Sequence, residues 1–155
     1  MTTTFSLKNS VTEFTVDASI VSRLQNAGLE VISSFAGTEG PSAEQAFQRV
    51  VHIDAKPAQR ITISAANSAL QVNSSWRSQA LSAGVISDDG SFLVAVGLKH
   101  PWVQVRLTET TDISALDGAA DELLFVARSI TGHRVCAATT EEGEYWILVL
   151  DFPQP

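Results

Sequence analysis

Apolar positions change spacing several times along the chain, and each spacing predicts an element. After Asp17, the residues Ile20, Val21, Leu24 and Ala27 recur at helical steps, and Gly28 stands where a helix-ending residue of positive φ belongs, so a short helix is expected over 18–27. The β-branched and aromatic residues of 29–35 predict a strand, closed by the breakers Ala36-Gly37-Thr38-Glu39-Gly40-Pro41, which read as a loop. Ser42 and Gln45 have capping-box spacing, with Ala46, Phe47 and Val50 continuing an apolar face. A second helix is expected there, running into a strand over 50–54.

Beyond Gln59 the period shortens to two. Ile61 and Ile63 alternate with Arg60 and Thr62, Leu70 and Val72 alternate with Gln71 and Asn73, and Ala65-Ala66-Asn67-Ser68 supplies a turn between these two expected strands. Val85-Ile86 and residues 92–96 flank Ser87-Asp88-Asp89-Gly90, the pattern of a tight hairpin, and a third strand over 102–107 follows the break at His100-Pro101. Ile113, Leu116, Ala120, Leu123, Leu124 and Ala127 repeat at three- and four-residue steps, which predicts the longest helix, about 113–129, with Gly132 beyond its end. A last hairpin joins 134–139 to 145–151 through Glu141-Glu142-Gly143. Its second strand is apolar on both faces, so it is expected at the centre of a sheet with Trp146 in the core.

The expected fold is therefore α+β: an antiparallel or mixed sheet of roughly six to eight strands with the 113–129 helix packed on one face. The two acidic turns echo each other. Asp88-Asp89-Gly90-Ser91-Phe92 and Glu141-Glu142-Gly143-Glu144-Tyr145 both read acid, acid, Gly, any, aromatic. The small menu of hairpin turns accounts for this, and a duplicated unit is the alternative.

A length of 155 residues predicts one domain over 1–155, and 45% hydrophobic with 17% charged residues excludes a disordered chain. The net charge of −7 has the wrong sign for nucleic acid or an anionic membrane surface and suits a basic partner. The first ten residues lack the charged and apolar regions of a secretory signal, and the apolar run at 146–150 is far too short to span a bilayer. The single cysteine, Cys136, fits a reducing compartment, so a cytoplasmic protein is expected and the acceptor-like Asn73-Ser74-Ser75 is a chance match.

Candidate chemistry is sparse. His52, His100 and His133 have no ligand spacing for zinc, and His133 and Cys136, three apart on a strand, project to opposite faces. Cys136 could serve as a nucleophile only with a depressed pKa, for which Arg134 is the nearest cation; a small buried hydrophobe is the expectation. Asp88-Asp89 and Glu141-Glu142 are explained by turn capping, and no phosphate-binding glycine loop or nucleophile elbow occurs. No catalytic residue, metal or cofactor is expected. Trp76, Arg77, His100 and Trp102 have polar neighbours at element ends, the composition of a protein-binding hot spot, and are the candidate partner-binding residues.

The run 77–83, then Val85-Ile86-Ser87-Asp88-Asp89-Gly90-Ser91-Phe92-Leu93-Val94-Ala95-Val96, then Trp102-Val103-Gln104-Val105-Arg106-Leu107 and 113–124 resembles one half of the EspG family, cytosolic chaperones of mycobacterial type VII secretion built from two related halves of sheet plus helix. The likeness covers about a third of a chain that is far shorter than the family's members. It implies a non-catalytic chaperone or adaptor for a secreted protein. An immunity protein that neutralises a toxin fits the composition equally, and the alternative is a small enzyme or small-molecule binder with a pocket lined by His52, His100 or Trp102.

Overall fold

The computed structural model describes residues 4–6, 15–35, 40–52, 54–97, 100–116, 123–131 and 133–152. Strands β1 (Thr4–Ser6) and β2 (Thr15–Asp17) form a two-stranded antiparallel ribbon that leads into helix α1 (Ala18–Asn26). There follow β3 (Leu29–Ser34), α2 (Ala43–Val50), β4 (Gln59–Thr62), α3 (Ser68–Ser82), β5 (Ser91–Val94) and β6 (Val103–Leu107). A 3₁₀ turn at Ile113–Leu116 precedes β7 (Leu124–Arg128), β8 (Arg134–Glu141) and β9 (Glu144–Asp151). Every pairing is antiparallel, in the order β3-β6-β5-β7-β8-β9-β4. The fold class is α+β, as the sequence implies.

Side-chain alternation gives the large sheet two buried faces with separate cores. On one face Phe92, Val94, Val105, Phe125, Ala127, Cys136, Ala138 and Ile147 meet Leu24 of α1 and Val72, Trp76 and Ala80 of α3. On the other, Leu93, Val126, Val135, Ala137 and Leu148 meet Ala43, Ala46 and Val50 of the short α2, with Trp102 beside them. The second core also holds Arg128, 1% exposed, whose guanidinium lies 5.4 Å from the Phe35 ring and 5.6 Å from the Trp102 ring. Burying a cation under two aromatic faces retains part of the stabilisation that water would give it.

Several local expectations are met. Gly28 ends α1 at φ 79°, and its carbonyl accepts from the Thr108 and Thr111 hydroxyls, which ties α1 to the loop after β6. The capping box is complete: the Gln45 N–H donates to Ser42 Oγ at 3.2 Å and the Ser42 N–H to Gln45 Oε1 at 2.9 Å. The β8–β9 hairpin turns through Glu142 and Gly143, both at positive φ.

Others are corrected. The helix expected over 113–129 is a single 3₁₀ turn and the strand β7, with 117–122 outside the described residues. Because both faces of β7 are covered, its apolar residues are continuous and imitate a helical repeat. The expected strand around Leu70 and Val72 is instead the first turn of α3, where Val72 is buried and Leu70 is 66% exposed. No strand forms at 50–54: Val50 ends α2, residues 51, 52 and 54 are turn and coil, and Ile53 is outside the described residues, as are 36–39 of the expected loop. Val85 and Ile86 are buried but belong to no strand, so only the turn of the expected 85–96 hairpin is present, and it differs in backbone from the turn before β9. β9 sits between β8 and the edge strand β4, and Trp146 is half-buried, stacked under Arg60 at 5.1 Å.

Candidate functional site

Trp76 and Trp102, the aromatic members of the expected partner surface, point into opposite cores. Trp76 is 0% exposed, donates its Nε1–H to the Cys136 carbonyl at 3.1 Å, and packs edge-on to Phe125 with centroids 5.0 Å apart. Trp102 is 5% exposed and donates to the Pro41 carbonyl at 3.0 Å. Both indoles are therefore core residues with satisfied polar atoms, and a surface built on them is ruled out by their burial. Arg77 is half-buried on α3 and His100 is exposed beside Gly97, so the four residues do not share one face. His52 is exposed near Asp54, 3.8 Å from its carboxylate, and lines neither cavity described below.

The candidate nucleophile is inert. Cys136 is fully buried, and desolvation pushes its thiol up to about 12, so thiolate is absent at neutral pH. Among the described residues no group of three or more His, Cys, Asp or Glu side chains could hold a metal ion. Asp89 is held below the usual carboxylate range first by the Ser91 hydroxyl and N–H and then by Arg106, an arrangement that fixes the turn before β5.

The outer side of α3 and the adjoining edge strand present the most developed surface. Val72, Trp76 and Ala80 take the inner face of the helix, so Leu70, Ser74, Ser78 and Leu81 form an outward stripe, with Arg77 beside it. Leu70 and Leu81 are 66% and 54% exposed. Between this helix and β4 lies an open groove of about 520 Å³ lined by Gln59, Asn67, Leu70, Gln71, Ser74 and Ser75, all uncharged. Among the described residues no strand pairs with the outer edge of β4. The Ile63 N–H donates to the Gly143 carbonyl, so by antiparallel alternation Ile61 also faces β9 and the N–H groups of Arg60 and Thr62 point toward the open edge.

Charge sets this region apart. Between Asp54 and Asp88 the chain carries no acidic residue, only the cations Lys56, Arg60 and Arg77, within a protein of net charge −7. That gap is readable in the sequence and is the signal that residue-by-residue inspection of the tryptophans misses. Matched against protein-family models, curated proteins and solved structures, the chain resembles none of them closely enough to count as a match. No helix among the described residues is long and apolar enough to cross a membrane.

Proposed function

We propose that the protein is a non-catalytic domain that binds another protein, and that the partner lays an extended segment along β4 under the outer face of α3. The observation that carries this reading is the coincidence of an open strand edge, an uncharged groove and two exposed leucines in the acid-free part of the chain. Strand addition supplies main-chain hydrogen bonds, and a groove beside the edge gives the incoming side chains a place to bury. Overall charge favours a basic partner, but a contact feels charges within about 8–10 Å, and along β4 the cations Lys56 and Arg60 are offset by Glu144, the cross-strand partner of Thr62. The docking segment is accordingly read as neutral. Of the two partner classes, the resemblance of 70–124 to one half of the EspG family supports a secreted protein over a toxin, and with it a cytoplasmic chaperone role.

The test uses a photoreactive residue at Ser74, with one at Glu109 as control. Ser74 should give a discrete crosslinked partner and Glu109 should not. With that partner in hand, Arg60→Pro, which removes an outward N–H without touching the β9 ladder, and Leu70→Asp should each weaken binding at least tenfold in folded protein. Binding unchanged in both variants refutes the docking surface.

A further inference from the structure

Where β5 leaves the sheet, its end and the start of β7 lie beneath α1 and the 3₁₀ turn, and the described residues leave a space between them. The result is a cavity of about 140 Å³. Its walls are apolar, with Ile20 and Leu24 from α1, Val94 and Val96 at the end of β5, and Leu124 and Phe125 from β7. Among the described residues, Arg23 is the sole charged one in its lining. It lies on the exposed side of α1, and among the described residues no carboxylate pairs with its guanidinium.

We propose that this cavity binds a small monocarboxylate with an apolar body, the body filling the space between α1 and β7 and the carboxylate pairing with Arg23 at the rim. Size sets the class: an engineered cavity of roughly 150 Å³ takes up benzene, so the body has about six to eight heavy atoms. Charge sets the head group, because a guanidinium beside an apolar wall gives a carboxylate two parallel N–H donors and gives a neutral alcohol far less. The site shares no residue with the β4–α3 groove, so it stands or falls separately from the protein-binding reading.

Benzoate and hexanoate, each against its neutral counterpart benzyl alcohol or 1-hexanol, are the probes, followed through methyl NMR shifts and calorimetry on the full chain. The carboxylates should shift the methyls of Ile20, Val94, Leu116 and Leu124 saturably, with a Kd at or below about 1 mM, well within the ceiling per heavy atom. The alcohols should bind at least tenfold more weakly. Arg23→Gln should bring the carboxylates down to the level of the alcohols, whereas Arg23→Lys should keep most of the difference. Because Arg23 is exposed, both variants leave the core intact. Val96→Phe, which fills the cavity from a half-buried wall on the same face as Ile20 and Leu24, should abolish binding of both kinds in protein whose spectrum shows it folded. Equal binding of acid and alcohol, an Arg23→Gln variant that binds like the parent, or shifts confined to other methyls would overturn the assignment.

Discussion

Trp76→Ala should be among the most damaging single truncations in the molecule, and its cost can be assembled from the structure. The indole is 0% exposed and sits in the centre of the larger core, 5.0 Å from Phe125 and 5.4 Å from Phe92. Removing a buried aromatic of this size leaves a cavity and costs about 3–5 kcal/mol. Loss of the two ring contacts lies partly within that figure and adds up to about 1 kcal/mol, and the lost donor to the Cys136 carbonyl adds a similar amount. A total near 5 kcal/mol is a large share of the roughly 5–15 kcal/mol that stabilises a domain. With a urea m-value near 2 kcal/mol/M, the midpoint should fall by about 2–3 M. Trp76→Phe, which keeps a ring but not the donor, should lose roughly 2 kcal/mol. Trp146→Ala removes a half-buried indole whose Nε1–H bonds only its neighbour Glu144, and should cost no more than about 2 kcal/mol. Urea titrations followed by far-ultraviolet circular dichroism measure all three. A loss below about 1 kcal/mol for Trp76→Ala, or a greater loss at Trp146 than at Trp76, would refute the placement of the two residues.

Two further perturbations test other parts of the fold. The Cys136 thiol, raised to about 12 in the folded protein against 9.0 as its ordinary value, should make stability fall with alkaline pH. Below pH 9 both states keep the proton and the contribution is complete; between 9 and 12 the unfolded chain alone ionises, so up to about 1.4 kcal/mol is lost per pH unit. The Cys136→Ala variant should lack that part of the slope, and identical slopes in parent and variant would contradict the burial. Gly28→Ala places a Cβ against the Thr110 carbonyl and 2.8 Å from Thr111 Cα, at a φ of 79° that alanine resists, and should cost roughly 2–4 kcal/mol by thermal or urea unfolding. A loss under about 1 kcal/mol would show that the loop after β6 yields freely.

What the sequence discloses and what it conceals follow from how many faces of an element are covered. Elements with one wet face keep their period, so α1 was legible through Ile20, Leu24 and Ala27, α2 through its capping box, and β8–β9 through the turn residues Glu142 and Gly143. β7 loses its period because Val126 and Ala127 are both buried, on opposite faces, and its Leu124 and Ala127 then fall into step with Leu116 and Ala120 as a false helix. At the start of α3 the error runs the other way. Leu70 and Val72 alternate like a strand, but Leu70 belongs to no core at all. An apolar residue that breaks the helical pattern of its own segment is thus the mark of a surface that leaves apolar area uncovered, and the same reasoning applies to Leu81, eleven residues on and close to the same helical azimuth. The misread tryptophans make the complementary point: polar neighbours along the chain say little about burial, because Trp76 satisfies its Nε1–H on a strand sixty residues away, whereas the acid-free stretch that contains it is a property of the segment as a whole and does not depend on where any one side chain points. Segment-level charge therefore locates the candidate surface where residue type alone selects the core.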